Sequence, residues 1–148
     1  EVKADRYKAL AWTSGYTEPS NVFGDPTQPG HGFTLCLIDN RGGHPTLLAS
    51  ATAPGGSMCG SFPCWKGTSY KSKQLTPDGL AKVALKASGK SSIKVKGKGA
   101  LLGLPSLGLT TPVSIRLTRD DEPAAYCWGA TYSTPTANTA TVFQAKGD

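Results

Sequence analysis

Long apolar runs are missing from this chain of 148 residues. The longest stretches, Ala100-Leu101-Leu102-Gly103-Leu104 and Ala124-Ala125-Tyr126, fall far short of the roughly 20 residues that a helix needs to cross a bilayer, so no membrane span is expected. Histidine is scarce. His31 and His44 are the only two, both flanked by Gly or Pro in turn-like stretches, and neither sits in a context typical of nucleophilic catalysis. The sequence therefore implies no enzyme and no cofactor. Alternating acidic ligands of the calcium-loop kind are also missing. Asp120-Asp121-Glu122 before Pro123 reads instead as a turn between two strands, and Asp25, Asp39 and Asp78 read as residues that shape loops. The opening Glu1-Val2-Lys3-Ala4-Asp5-Arg6 is charged where a targeting segment would be apolar, so a mature product or an excised domain is expected.

Turn formers are abundant, with 18 Gly and 11 Pro, and apolar residues still make up 38% of the chain. That balance disfavours both long helices and disorder, and points to one loop-rich globular core. Cys36, Cys59, Cys64 and Cys127 are even in number and neighbour apolar or aromatic residues. A zinc site would want paired knuckles, which Cys36 and Cys127 lack, so two disulfides and a secreted protein are the expectation. Of three possible pairings, Cys59–Cys64 with Cys36–Cys127 is favoured, because the second would tie an early strand to a late one. Closing so long a loop would contribute roughly 4 to 5 kcal/mol in the chain-entropy model.

A two-residue alternation governs most segments. In Phe33–Asp39, Phe33, Leu35 and Leu37 share a face, and Leu47–Ala51 follows as a second run before the loop from Pro54 to Gly67. Leu80–Lys86 and Ser92–Lys98 read as a hairpin with Val83, Leu85, Ile93 and Val95 inward and Lys82, Lys86, Lys94, Lys96 and Lys98 outward. Pro112–Arg119, Tyr126–Tyr132 and Thr141–Ala145 read as further strands. Leu101 to Leu109 is leucine-rich but interrupted by Gly103, Pro105 and Gly108, which makes it an apolar connection lying on the core. Residues 5–12 suit an edge strand. The fold class expected is all-β, a two-sheet antiparallel β-sandwich stapled by disulfides, occupying residues 1–148 with 1–30 as an N-terminal extension or edge strand.

The runs Thr76-Pro77-Asp78-Gly79-Leu80, Ile93-Lys94-Val95-Lys96-Gly97-Lys98-Gly99-Ala100 and Cys127-Trp128-Gly129-Ala130-Thr131-Tyr132-Ser133 carry a resemblance. From about residue 30 onward the chain resembles an uncharacterised domain that recurs at the C-terminus of large secreted proteins of environmental bacteria. Cys59 and Cys64-Trp65-Lys66 fit the same pattern. The resemblance implies secretion and a module appended to other domains, and brings no catalytic residues with it.

Sixteen Lys and Arg against ten Asp and Glu, with the excess concentrated between Lys66 and Lys98, make polyanions possible partners. Lysines on an exposed strand also discourage edge pairing and keep a domain soluble, which is the plainer explanation. Nucleic acid is disfavoured because no aromatic residues interleave these lysines. Trp12, Trp65 and Tyr70, with Lys66 beside them, are the candidates for a sugar-binding platform, whereas Trp128 beside Cys127 reads as core. The function expected is a non-catalytic extracellular module that binds polysaccharide or another cell-surface polymer. Assembly with copies of itself into a filament or surface layer, through a strand donated from residues 2–12, is the first alternative, and a secreted enzyme is the second and less favoured one.

Overall fold

A computed structural model describes residues 1–3, 9–16, 18–19, 21–87 and 91–148, without the side chains of residues 3, 9–14 and 16. The chain is mostly β, and its strands pair antiparallel throughout the described residues. In order they are β1 (Val2–Lys3), β2 (Ala9–Tyr16), β3 (Phe33–Asp39), β4 (Thr46–Ala53), β5 (Met58–Cys59), β6 (Phe62–Pro63) and β7 (Trp65–Lys66). There follow β8 (Ser69–Lys71), β9 (Leu80–Lys86), β10 (Ser91–Lys98), β11 (Val113–Arg119), β12 (Cys127–Tyr132), β13 (Ala137–Asn138) and β14 (Val142–Gln144). An eight-stranded sheet runs β13-β14-β1-β2-β10-β9-β8-β7, a four-stranded sheet runs β12-β11-β3-β4, and β5-β6 form a separate hairpin.

Alternation explains these strands. Phe33, Leu35 and Leu37 of β3 and Val113, Ile115 and Leu117 of β11 are buried, while Thr34, Cys36, Arg116 and Thr118 between them face outward. On β9 and β10, Val83, Leu85, Ile93 and Val95 are buried and the lysines are exposed. Each such apolar side chain stabilises the fold by roughly 1.5–3 kcal/mol on burial. Aromatic rings link the two large sheets. Phe33 of the four-stranded sheet lies 5.8 Å from Trp65 of the eight-stranded one, 6.2 Å from Trp128 and 6.5 Å from Phe23, and Trp65 continues the chain to Tyr70 at 5.2 Å. The leucine-rich connection lies on this core, with Leu102, Leu104, Leu107 and Leu109 buried. Leu102 seats against Gly79, at φ 79°, and Gly97, where a Cβ would come within 2.6 Å of its Cδ1. Only residues without a side chain allow so close an approach.

Three expectations are corrected. β2 is no edge strand: β1 pairs on one side of it and β10 runs along the other from Lys98↔Ala9 to Ser91↔Tyr16. The two stretches Val2–Lys3 and Ala9–Tyr16 are thus paired within their own chain, and residues 4–8 lie outside the described part. The segment from Pro54 to Gly67, read as a loop holding the close cysteine pair, also carries the short strands β5, β6 and β7. And only one of the two expected disulfides is formed. Cys59 and Cys64 are bonded, with Cα atoms 5.0 Å apart, whereas Cys36 and Cys127 are free. β11 runs between the strands of that second pair, so two interstrand steps of about 4.8 Å separate them, beyond the roughly 7 Å that a disulfide tolerates between Cα atoms.

Candidate functional site

The outward face of the eight-stranded sheet is a field of lysines. Tyr70, Val83 and Val95 stand opposite one another and turn inward, so their neighbours Lys71, Lys82 and Lys96 must turn outward, and the register sets these three directly side by side. The row continues at one end into Ala11 of β2. At the other end the Lys71 N–H donates to the carbonyl of Cys64 at 2.9 Å, which brings the disulfide into line with it. Lys66 and Lys94 stand in the neighbouring row, separated by Ser69 and Ala84, and Lys86 and Lys98 lie at the two ends of the hairpin. All seven are exposed.

No carboxylate among the described residues pairs with these lysines. Among the described residues, ion pairs are made by His31, Arg41 and Arg119, all elsewhere. Like charges directly opposite on adjacent strands are destabilising. At about 5 Å in water each pair costs about 0.8 kcal/mol before screening by salt, and the side chains relieve part of that by splaying apart. The arrangement offers cations spaced about 5 Å apart across the strands and about 7 Å along them.

At the edge of this face stands the β5-β6 hairpin, turned by Gly60 at φ 72° and closed by Cys59–Cys64. Its base is anchored. Cys64 N–H donates to the Ser57 carbonyl at 2.9 Å, and the indole of buried Trp65 donates to the Pro54 carbonyl at 2.9 Å. Its tip is exposed: Phe62 is 75% accessible and Met58 58%.

Trp65 and Tyr70 do not form the candidate platform. Trp65 and Tyr70 face each other across β7 and β8 and are 2% and 0% exposed, with the Tyr70 hydroxyl donating to the Thr76 carbonyl at 3.1 Å. Burial raises the Tyr70 phenol above its ordinary value. Both rings are core, and neither offers a face to a ligand. Trp12 stands opposite Val95 in β2, and its side chain lies outside the described residues. Trp128 is buried, its indole donating to Glu18 Oε1 at 3.1 Å. Among the described side chains of the platform set, Lys66 is the exposed one. Phe62 and Met58 were not singled out by sequence, because Phe beside Pro and Cys reads as core and only the hairpin geometry exposes it.

A second concavity, about 900 Å³ and wide open, lies on the four-stranded sheet and is lined by Ser114, Arg116, Gly129, Thr131, Lys146 and Asp148 among others. The Asp148 carboxylate accepts from the Ser133 N–H and hydroxyl, which hold its pKa below the usual carboxylate value. Nearby, burial pushes the Cys36 thiol up, the neighbouring Cys127 adds to this, and Arg116 opposes it. His31 Nδ1 lies 3.4 Å from Asp121, whose carboxylate is bound by Arg119; His44 is exposed. No group of three metal-ligating side chains converges among the described residues, and no helix is long and apolar enough to cross a membrane. No protein-family model, curated protein or solved structure was found to match the chain.

Proposed function

We propose that this domain is a non-catalytic extracellular binding module that docks on an anionic polymer of a cell surface or matrix through its lysine face. One observation carries the reading: Lys71, Lys82 and Lys96 stand side by side in register, with no carboxylate paired to them among the described residues. Edge protection does not require this, because β9 and β10 are interior strands and already paired on both sides. A regular lattice of cations on a flat sheet suits a linear polymer with repeating negative charge, such as a polysaccharide bearing carboxylate or sulfate groups. The disulfide supports an oxidising compartment outside the cell, in keeping with the resemblance to modules of secreted proteins. We read the eight- and four-stranded sheets as the two layers of a sandwich, and the ring contacts of Phe33 support this. The pairing of β1 and β2 within their own chain disfavours a donated-strand filament subunit.

The test is affinity electrophoresis through gels containing a polyuronate, a sulfated polysaccharide or a neutral glucan, at several salt concentrations. Retardation by the two acidic polymers alone is expected, weakening with salt and lost in K71Q/K82Q/K96Q. Equal mobility in all three gels removes the reading.

A further inference from the structure

We infer that Phe62, carried on the sulfur-bridged hairpin at the end of the lysine row, stacks on a sugar ring of an acidic polysaccharide whose anionic groups meet Lys71, Lys82 and Lys96. This rests on the proposed function and names its ligand class.

The first reason is exposure. A large aromatic side chain left 75% accessible gives up most of the stabilisation that burial would bring, and a single ring on a protruding tip is the usual form of a binding anchor. The second is rigidity. The hairpin is only a few residues long, yet it is closed by Cys59–Cys64, turned at Gly60, and held at its base by the hydrogen bonds of Cys64 and Trp65. A contact presented on so constrained a segment loses little conformational freedom on binding.

Direction is the third reason. Phe62 stands directly across from Cys59, and Cys64 joins Ser57 by its backbone, so Phe62 and both bridged cysteines lie on one side of the hairpin. Cys64, buried at the bend between β6 and β7, ties the base of the hairpin to the strand that carries Lys66. The hairpin base therefore adjoins the end of the lysine row. The Lys71–Cys64 hydrogen bond continues the row Lys96–Lys82–Lys71 straight to the bridge.

A sugar polymer fits this arrangement better than a bilayer. Aromatic faces pack on the apolar face of a pyranose, and one ring suffices for one sugar. Lipid insertion would need several apolar side chains at one tip, but Met58, the other exposed apolar residue of the hairpin, alternates to the opposite side from Phe62. The lysines also spread over a flat sheet, which a chain of linked sugars can follow.

Titration calorimetry would use the wild type, F62A, F62Y and K71Q/K82Q/K96Q with a polyuronate, a sulfated polysaccharide and a neutral glucan, and sedimentation with vesicles of anionic phospholipid. Thermal melting would establish that F62A stays folded, as expected for so exposed a side chain. F62A should bind the acidic polymers about tenfold more weakly and F62Y nearly as well as the wild type. The salt dependence should persist in F62A, which loses no charge, and flatten in the triple lysine variant. Unchanged affinity in F62A, with the wild type still binding, overturns this inference and leaves the lysine reading intact. No binding by the wild type overturns both, and Phe62-dependent binding to vesicles but not polysaccharide overturns the sugar assignment.

Discussion

Cys36 and Cys127 project from the same outward face of the four-stranded sheet with β11 between them, Arg116 standing opposite Cys36 and Thr118 opposite Cys127. Burial, and after it the neighbouring Cys127, pushes the Cys36 thiol up, yet the intervening strand bars a bond between the two. Alkylation of the unreduced, unfolded protein should therefore label two thiols and leave one disulfide, as read by mass spectrometry. In the folded protein the exposed Cys127 should react first, while Cys36 lags and gains speed as pH rises. The sign follows from the thiolate being the nucleophile and from burial raising the Cys36 thiol above its ordinary value. Recovery of no free thiol would contradict the register of β3, β11 and β12.

The lysine row makes a prediction that needs no ligand. Removing like charges from adjacent strands relieves repulsion, so K71Q/K82Q/K96Q should melt slightly higher than the wild type in low salt. The difference should shrink toward zero at about 1 M salt, where charges more than about 3 Å apart are screened. A variant that melts lower at every salt concentration would mean that the lysine stems pack rather than repel.

Phe33 touches Trp65, Trp128 and Phe23 with no exposure of its own. Phe33→Ala should cost about 3–5 kcal/mol, read from the midpoint of chemical denaturation. Phe62→Ala, similar in chemistry but at the exposed tip, should change the midpoint little. Comparable losses at the two sites would show that the hairpin packs against something in solution.

Adjacent carboxylates at the β11–β12 turn should pull stability in opposite directions with pH. Hydrogen bonds from Arg119 hold Asp121 below the usual carboxylate range, with His31 adding a little, whereas burial pushes Asp120 up despite the 2.8 Å hydrogen bond it accepts from Thr34. Asp121 therefore contributes stability that is fully present above the unfolded value of about 4 and lost as pH falls through its folded value. Asp120 contributes only in acid, and its contribution is lost as pH rises through its folded value. D121N should flatten the acid limb of a melting-temperature profile. D120N should melt higher than the wild type at neutral pH, the gain vanishing below about pH 4. A D120N protein less stable at neutral pH would overturn the assignment.

Much of the fold was legible because alternation in a strand is both a sequence pattern and a burial pattern. β3, β9, β10, β11 and β12 run within a residue or two of where Phe33–Asp39, Leu80–Lys86, Ser92–Lys98, Pro112–Arg119 and Tyr126–Tyr132 predict them. The lysines of β9 and β10 were legible for the same reason. Trp65 and Tyr70 were not, because β7 and β8 are too short to display a period. Their sign was subtler: Trp65-Lys66 and Ser69-Tyr70 mirror each other about Gly67-Thr68, the signature of a tight hairpin. The connectivity of Cys36 and Cys127 required knowing which strand lies between them, and no local pattern records strand order. Phe62 differs from a core phenylalanine only in where its hairpin points.

β1 and β2 hold the eight-stranded sheet together from the start of the chain, yet Val2 finds its partner at Phe143 and Tyr16 finds its own at Ser91. During synthesis β2 must wait for β10, and the outer side of β1 for β14, before their hydrogen bonds can be satisfied. Such distant pairings close slowly, so the sheet should complete itself only after β14 is made, whereas the lysine strands β8, β9 and β10 are neighbours in sequence and can pair earlier.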